Sequence, residues 1–376
     1  MLKIGVIGYG NRIDGIVKKL LGTQKVSLAA VMDIDNDGVK EKYLSEDKNI
    51  NYYDDAKKML KAEKLDGVLI GTRCSTHAMY TKLVSKYDIP LFLEKPVCTN
   101  YEDLYLLEKI DNLEDKCVVS FPLRVSAILE YVKEIIDLGK IGEITHIEAY
   151  NNVNYARGYY HKWYRDENET GGLFLQKATH DIDYINYLLN GLKPVCITAM
   201  KSKQVFLGEK EEGLKCKDCP EYETCTESPK NVAKNGDGFV IGEYCCFAKD
   251  TGNEDSGSML VEYENGMHVV YTQDFVVRNK AGNRGARIIG YKGTIDFDWT
   301  TNEVNVYQHL RNIKETHVLS TNGSHYGGDA VLCENFIGVM EGKEKSKAPL
   351  SAGILSAKMC LGAKKSSEEK VFVYFD

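Results

Sequence analysis

Several features that would assign the chain to a membrane or to nucleic acid are missing from its 376 residues. No apolar run reaches about 18 residues, the length that a membrane-spanning helix needs. The net charge is −7, and no block of basic residues would favour nucleic acid or an anionic membrane. The opening, MLKIGVIGYG, enters a strand at once, without the apolar region and cleavage site of a signal peptide. We therefore expect a cytoplasmic protein that has neither partner.

The composition, 43% hydrophobic and 27% charged, suits a globular protein of two domains. Its first third alternates apolar strand-like runs with segments of helical apolar spacing. The strand-like runs are KIGVIGYG, VSLAAVMDID, DGVLIGT, IPLFLEKP and KCVVSFPLR, and the helical segments are NRIDGIVKKLLG, THAMYTKLVSKY and NYEDLYLLEKI. Strands that are apolar on both faces are typical of a parallel sheet covered by helices. Residues 1–123 are therefore predicted to form a doubly wound α/β Rossmann domain.

A glycine turn follows the first strand of this predicted domain. Gly8 and Gly10 stand where the backbone of such a fold approaches a pyrophosphate at a helix N-terminus, although Ile13 replaces the third glycine of G-x-G-x-x-G. Asp33 ends the second strand, where an acid bonds the ribose 2′-hydroxyl and repels a 2′-phosphate. The turn therefore predicts dinucleotide binding, with NAD preferred to NADP; the alternative is a solvated loop, because further acids follow.

The pattern changes after about residue 124. SAILEYVKEIIDLG reads as a helix, and GEITHIEAYNNV, GSMLVEYENGMHVVYTQDF, GARIIGYKGTIDFDW and EVNVYQHL read as strands with period-two alternation and tight turns. Residues 124–376 are therefore predicted to form an α+β domain with a large, open, mostly antiparallel sheet. We expect the substrate cleft to lie between this sheet and the nucleotide domain.

The tripeptide Glu94-Lys95-Pro96 directly follows an apolar strand. Burying an ammonium group is expensive unless something compensates for it, so a lysine at this place calls for an explanation. A functional lysine is one explanation, and a lysine that reaches the surface beside a turn proline is the other.

In its motifs the chain resembles the glucose–fructose oxidoreductase, inositol dehydrogenase and rhizopine-catabolism family (Gfo/Idh/MocA). IGVIGYGNR, EKPVCTN, FPLR, GKIGEI, GGLFLQKATHDIDYINYLL and HYGGD occur here in the order that the family uses. The resemblance covers essentially the whole chain, and it implies NAD(P)-dependent redox chemistry on a sugar, a cyclitol or a related polyol. It also implies homodimers or homotetramers that form through the open sheet face.

The resemblance also implies which residues carry the chemistry. Lys95 would lie beside the nicotinamide and stabilise the alkoxide that develops on the substrate. His180 would exchange the hydroxyl proton, with an adjacent aspartate, Asp181 or Asp183, to orient it. The family's usual acid four residues before this histidine is Gln176 here. Lys177, three residues before His180 and so on the same side of a helical turn, would supply a second cation instead.

Further residues follow from the same resemblance and from their types. The expected cofactor contacts are Gly8, Tyr9, Gly10, Asn11, Arg12, Asp33, Thr72, His77, Glu94 and Lys95. A run rich in aromatic and basic residues, YARGYYHKWYRD, starts at Tyr155 and includes Arg157. Aromatic faces and guanidinium donors suit the binding of a polyhydroxylated ring. The expected substrate contacts are Arg124, Tyr160, His161, Trp163, Arg165, Asp183 and His325. Packing on a sheet edge is the alternative for the aromatic run.

The chain has 11 cysteines, several of which lie in a polar insertion at about 208–246. Cys216, Cys219 and Cys225, with Cys245 or Cys246, are compatible with tetrahedral zinc or an iron–sulfur cluster. The third and fourth ligands lack a standard spacing, so free thiols are the alternative. Catalysis would not depend on a metal there.

Taken together, the sequence predicts an NAD-dependent oxidoreductase that transfers hydride between nicotinamide and a ring carbinol of a sugar, glycoside or inositol. One alternative is redox-neutral glycoside cleavage or epimerisation through a transient keto-sugar on a retained NAD. A second alternative is an NAD-bound sensor without turnover. The presence of both Lys95 and His180 favours an enzyme over the sensor.

Overall fold

A computed structural model of the chain describes residues 1–44, 49–154, 158–234, 242–278, 280–320 and 323–375. Its contacts divide the chain into two units. Unit 1 contains residues 1–130, 182–187 and 321–358, and unit 2 contains residues 131–181, 188–320 and 359–376. The predicted boundary between residues 123 and 124 stays a prediction. No described helix is both long enough and apolar enough to cross a membrane.

In the part of the chain that is described, unit 1 is built on a six-stranded parallel sheet. Its strands are β1 (Leu2–Ile7), β2 (Val26–Met32), β3 (Asn51–Tyr53), β4 (Gly67–Ile70), β5 (Leu91–Leu93) and β6 (Cys117–Val119). Their order, β3-β2-β1-β4-β5-β6, is that of a Rossmann fold, in which ligands bind at the carboxyl ends of the strands. The predicted α/β fold of this region is confirmed.

Helices connect these strands and bury their apolar faces. They are α1 (Asn11–Gly22), α2 (Asn36–Tyr43), α3 (Ala56–Ala62), α4 (His77–Val84) and α5 (Tyr101–Leu107), with 3-10 turns at Cys74–Thr76, Ser85–Tyr87 and Pro122–Val125. Unit 1 also contains a 3-10 turn at Ser324–Gly327 and the helix Gly328–Met340, which we number below. Phe336 of that helix contacts Phe92 of β5 with ring centroids 5.7 Å apart, so a late segment of the chain completes the core of the nucleotide fold.

Unit 2 is built on a sheet that has nine strands within the described residues. These are β7 (Ile144–Asn152), β8 (Pro194–Ser202), β9 (Ser256–Tyr263), β10 (His268–Asp274), β11 (Asn283–Gly290), β12 (Gly293–Asp298), β13 (Glu303–Gln308), β14 (Ile313–Val318) and β15 (Val373–Tyr374). The order is β14-β13-β12-β11-β7-β10-β9-β8-β15, and all neighbours are antiparallel except β7 and β10. The predicted open, mostly antiparallel sheet is confirmed.

Seven further helices follow residue 124 in the described part of the chain. They are α6 (Ala127–Asp137), α7 (Gly158–His161), α8 (Glu167–Thr170), α9 (Thr179–Leu188), α10 (Pro229–Lys234), α11 (Gly328–Met340) and α12 (Leu350–Glu369), with 3-10 turns at Trp163–Arg165 and Cys216–Asp218. A π-helical turn, Phe174–Ala178, leads directly into α9. Turns of this type are rare and occur frequently at functional sites.

Candidate active site

The first turn of unit 1 leaves room for a pyrophosphate. Gly8 has φ +80°, and a Cβ there would lie 2.6 Å from the backbone nitrogen of Thr72, so only glycine fits. Gly10 is the N-cap of α1, no side chain caps this helix, and a Cβ on Gly10 would meet nothing within 4 Å. Uncapped N–H groups beside open space fit the phosphates of a dinucleotide.

The acid expected at the end of β2 lies beside this turn. The backbone N–H of Tyr9 donates to Oδ2 of Asp33 at 2.7 Å, and the N–H of Asp35 donates to Oδ1 at 2.9 Å. The Tyr9 ring faces the Tyr43 ring, with the centroids 5.6 Å apart. These side chains border a cavity of about 610 Å³, lined by Tyr9, Asp33, Asp35, Gly38, Val39, Glu41, Lys42 and Tyr43. The half-buried Asp33 carboxylate thus faces a space in which an adenosine ribose would fit.

The Glu-Lys-Pro element follows β5 and is anchored on both sides of Lys95. Glu94 is buried, its N–H donates to the carbonyl of Ile70 at 3.0 Å, and its Oε1 accepts a hydrogen bond from Arg12 Nε at 3.0 Å. The Lys95–Pro96 peptide bond is cis, and the Pro96 carbonyl lies 2.7 Å from Nδ1 of His77. Lys95 itself is only partly buried. The backbone on each side of the lysine is therefore held in place.

His77 is buried rather than open to a ligand. Its Nε2 lies 3.2 Å from the carbonyl of Thr72, so the imidazole joins the Thr72 turn to Pro96. Burial lowers the pKa of His77, although both carbonyls favour its protonated form. The predicted cofactor contacts of His77 and Thr72 stay predictions, and the geometry gives His77 a positioning role between the two loops.

Arg12 is the centre of an ion-pair network in unit 1. Its Nη1 and Nη2 bond the two carboxylate oxygens of Asp329 at 2.9 and 2.7 Å, and its Nη2 also bonds Oγ of Ser120 at 2.9 Å. Asp329, which is fully buried, also accepts hydrogen bonds from Ser324 Oγ at 2.6 Å and from His325 Nδ1 at 2.9 Å. Burial lowers the pKa of Arg12, but Glu94 and Asp329 raise it further than burial lowers it.

Of the predicted substrate residues in unit 1, Arg124 and Asp183 bond each other. Nε and Nη2 of Arg124 meet the Asp183 carboxylate at 3.1 and 2.5 Å, and the guanidinium lies 4.9 Å from the centroid of the Tyr187 ring. Both side chains are almost fully buried. His325 has a left-handed backbone, with φ +47°, and bonds Asp329. The predicted contacts of these three residues with substrate stay predictions.

In unit 2, the segment that carries Lys177 and His180 begins at two glycines with positive φ, Gly171 and Gly172. Oε1 of the buried Glu254 accepts the N–H groups of Leu173 and Phe174, at 3.1 and 3.2 Å, and so fixes the start of the π-helical turn. Lys177 lies within that turn and is half-buried, whereas His180 lies in α9 and is 5% exposed. Lys177 and His180 were expected on the same side of an α-helical turn. Because Lys177 lies in a wider π-helical turn, this expectation holds only in part.

Asp181, next to His180, is buried and accepts three side-chain hydrogen bonds. The sequence indicates it only as one of two aspartates that could orient His180. Its Oδ1 accepts a hydrogen bond from Arg284 Nε at 2.7 Å, and its Oδ2 accepts from Asn151 Nδ2 at 2.9 Å and the Tyr271 hydroxyl at 3.0 Å. Asn151, Tyr271 and Arg284 are on β7, β10 and β11. These hydrogen bonds therefore fix the beginning of α9 on the sheet of unit 2.

Three of the four aromatic and basic residues predicted to contact substrate are buried. The Tyr160 hydroxyl donates to the carbonyl of Glu254 at 2.8 Å, His161 Nδ1 lies 2.7 Å from the carbonyl of Tyr244, and Arg165 bonds Asp250. Trp163 is half-buried and stacks on Tyr164, with ring centroids 3.9 Å apart. Tyr155 and Arg157 lie outside the described residues. The predicted substrate contacts of this group stay predictions.

The predicted metal ligands Cys216, Cys219, Cys225 and Cys245 lie together and line one small cavity. Residues 235–241 of the same insertion are outside the described part of the chain. Within the part that is described, no group of three or more His, Cys, Asp or Glu side chains is arranged to hold a metal ion.

Comparison with known proteins agrees with this geometry. Residues 2–120 match the description "Oxidoreductase family, NAD-binding Rossmann fold", and residues 129–296 match "GFO/IDH/MocA C-terminal domain". YteT of Bacillus subtilis (strain 168) is 26% identical over 322 residues, which is 74% of each chain. Myo-inositol 2-dehydrogenase of Thermotoga maritima is 25% identical over 198 residues, 50% of this chain and 55% of that one.

Solved structures share the fold across the whole chain. A levoglucosan dehydrogenase in complex with NADH superimposes with a TM-score of 0.77 at 14% identity, covering 100% of this chain and 99% of that one. The two matched descriptions together span both the parallel sheet of unit 1 and most of the antiparallel sheet of unit 2. The chain therefore belongs to the GFO/IDH/MocA oxidoreductase family, whose N-terminal domain is an NAD-binding Rossmann fold.

Proposed function

We propose that the protein is an NAD-dependent dehydrogenase acting on a ring carbinol of a sugar, glycoside or inositol. One observation carries the proposal: Arg12, two residues after the dinucleotide glycines, bonds Glu94, which directly precedes Lys95. This ion pair ties the lysine to the turn where the cofactor phosphates would lie. A cation fixed beside a redox cofactor is suited to stabilising an alkoxide.

In the proposed reaction, NAD⁺ supplies a hydride acceptor for the ring carbon that carries the hydroxyl group. Lys95 donates a hydrogen bond to the substrate oxygen, where negative charge develops as the C–H bond breaks. His180 accepts the hydroxyl proton, so that the alcohol yields a ketone, NADH and one proton. Lys177, in the π-helical turn, adds a second positive charge in place of the acid that the family usually has.

Two features support NAD rather than NADP. The Asp33 carboxylate, which accepts the N–H groups of Tyr9 and Asp35 beside the glycine turn, would repel a 2′-phosphate on a bound cofactor. Arg12, in the first turn of α1, has its Nε, Nη1 and Nη2 atoms bonded to Glu94, Asp329 and Ser120. A 2′-phosphate would therefore have to compete with two carboxylates for this guanidinium.

The names of related proteins support the substrate class, since one relative is a myo-inositol dehydrogenase and one structural neighbour is a levoglucosan dehydrogenase. The test is a screen of sugars, glycosides and inositols for NADH formation, run in parallel on the unmodified protein and on Lys95→Ala. NADH formation that one class elicits and that the substitution abolishes would support the proposal. No turnover of any cyclic polyol in either direction would refute it.

We also propose a homo-oligomer that forms through the outer face of the sheet in unit 2. Met200 and Leu260 lie on that face and are 74% and 41% exposed, so the face presents apolar side chains that a second copy of the chain would cover. Light scattering after gel filtration measures the mass directly. The introduction of charge by Leu260→Lys is expected to shift the mass to one chain, whereas an unmodified protein that is monomeric at micromolar concentration would refute the proposal.

A further inference from the structure

The loop between β8 and β9 gathers cysteines around one small cavity. Cys216, Cys219, Cys225, Cys245 and Cys246 line it, and its volume is about 10 Å³, enough for a single water-sized centre. The regular structure of the described part of this loop is limited to the 3-10 turn Cys216–Asp218 and the six-residue α10. One buried cluster of the loop consists of Cys216, Cys245 and Ala248, and Leu214, Tyr222 and Phe247 pack against it. Two of its three buried residues are therefore cysteines.

Backbone hydrogen bonds bring the distant cysteines together. The N–H of Cys216 donates to the carbonyl of Glu243 at 2.7 Å, and the N–H of Cys245 donates to the carbonyl of Leu214 at 2.8 Å. The two strands of the loop are therefore paired at the point where Cys216 and Cys245 lie. The N–H of Cys219 closes a tight turn onto the carbonyl of Cys216 at 3.2 Å, which is the C-x-x-C geometry of many thiolate sites.

Two cations adjoin these thiols. Nζ of Lys210 lies 3.9 Å from Sγ of Cys219. Arg165 is 3% exposed, its guanidinium lies over the ring of Tyr244, and it bonds Asp250 through Nη2. Within the described residues, its Nε and Nη1 atoms are buried and have no hydrogen-bond partner. A buried guanidinium with two unused donors indicates that an acceptor is missing, and thiolate sulfur and the Glu227 carboxylate are the acceptors that line this cavity.

We propose that Cys216, Cys219, Cys225 and Cys245 bind one Zn²⁺ ion, with Lys210 and Arg165 as donors to the thiolate sulfurs. Cys245 is the fourth ligand because it belongs to the core of the loop with Cys216, whereas Cys246 packs in a separate cluster with Tyr160 and Phe206. Four cysteine thiolates form the closed ligand set of a structural zinc site.

Metal binding would have to change a present contact of Cys216. Sγ of Cys216 is directed at the carbonyl of Tyr244, 3.4 Å away. The described cysteine side chains are not yet arranged to hold a metal ion, so ligation requires the thiols to turn about χ1 toward a common point. The balanced step is four thiols and Zn²⁺ giving a tetrathiolate zinc of charge −2 and four protons.

The first measurement is elemental analysis of the full chain, purified under reducing conditions from zinc-supplemented medium. About one zinc per chain is expected. Removing it with a chelator should expose four additional thiols to a thiol reagent, and returning zinc should release about four protons per ion bound, as an indicator dye records. These readouts do not depend on catalysis, so they are separate from the test of the proposed dehydrogenase activity.

Substitutions locate the site. Cys216→Ser and Cys225→Ser should lose zinc, whereas the matched control Cys196→Ser, a buried cysteine in β8, should keep it. Arg165→Gln should weaken zinc binding by roughly 10- to 100-fold, as is usual for a partner of a metal ligand. If a cysteine variant fails to fold, removing zinc from the unmodified chain and returning it still tests whether the four thiols bind the metal.

Several results would overturn the proposal. They are zinc below about 0.2 per chain after supplementation, zinc retained by both cysteine variants, and a disulfide between any two of the four cysteines in the protein purified under reducing conditions. Iron with visible absorbance in anaerobically purified protein would also refute the mononuclear zinc site.

Discussion

The buried Asp181–Arg284 pair is expected to be a large and measurable determinant of the stability of unit 2. Asp181 is 0% exposed, and Arg284, which is 8% exposed, bonds it at 2.7 Å. Removing one partner of a buried ion pair leaves the other charge uncompensated, which costs about 3–5 kcal/mol. We therefore expect Asp181→Asn and Arg284→Met each to lower the free energy of unfolding by about 3 kcal/mol or more.

The double variant distinguishes an ion pair from two independent packing losses. With both charges removed, no charge is left buried, so the loss should fall short of the sum of the two single losses by about 2 kcal/mol. The chain has two tryptophans, Trp163 and Trp299, and both belong to unit 2, so fluorescence during guanidinium unfolding reports on this unit. The guanidinium of Arg284 lies 5.9 Å from the centroid of the Trp299 ring, which places one reporter at the site.

A control is provided by Arg287 and Asp296, which form a partly exposed ion pair on neighbouring strands of the same sheet. Arg287→Met should cost less than about 1 kcal/mol, because surface pairs contribute little. Losses that simply add in the Asp181/Arg284 double variant would refute the reasoning. Single losses no larger than that of Arg287→Met would do so as well.

The other predictions concern the cofactor side of the molecule. Lys95→Ala should slow hydride transfer by roughly a hundredfold or more in single-turnover NAD reduction. Lys95→Arg should restore little of the rate, because a planar guanidinium cannot replace a compact ammonium. A Lys95→Ala variant with the unmodified rate would contradict the proposed role of Lys95. Asp33→Ala should erode the preference for NAD in fluorescence titrations, and tighter binding of NADP by the unmodified protein would refute the assignment of Asp33. Although burial acts to raise the pKa of Asp329, hydrogen bonds from His325 and Arg12 hold it well below its usual range. The stability that Asp329 provides should therefore be complete above about pH 4, the usual carboxyl pKa, and be lost as the pH falls further toward the lower pKa of the folded state. Urea midpoints for the unmodified protein and Asp329→Asn should differ by a constant amount from pH 7 to 5 and converge below pH 4, and a gap that widens on acidification would contradict this sign.

Local sequence patterns predicted the helices and hairpins whose apolar spacing or turn residues lie within one short segment. The helix NRIDGIVKKLLG coincides with α1, because Ile13, Ile16, Val17 and Leu20 form one buried face. The hairpins that contain Glu-Asn-Gly and Lys-Gly-Thr were found in the same way. The patterns do not indicate β3, α2 or α3; β3 has no fully buried residue and α2 has only Val39, so neither shows an apolar face.

Contacts between distant segments could not be predicted from the sequence. Arg12 and Asp329 are 317 positions apart, and Asp181 and Arg284 are 103 apart, so no spacing rule connects them. Residue type alone also does not predict burial. Tyr160 is an aromatic residue of the kind that suits a sugar ring, and its side chain is fully buried against Phe206. The π-helical turn around Lys177 depends on the buried Glu254, 77 residues further along the chain.

The late segment of unit 1 has a consequence for biosynthesis. A ribosome produces the six parallel strands within the first third of the chain, but Asp329 and Phe336 emerge only after the whole sheet of unit 2 except β15. Until then, Arg12 lacks the carboxylate that binds two of its nitrogens, and Phe92 lacks its aromatic neighbour. The synthesis of the nucleotide fold therefore starts first and is completed nearly last. A fragment that stops at residue 130 would retain the cofactor turn but would lack the Asp329 carboxylate that binds Arg12.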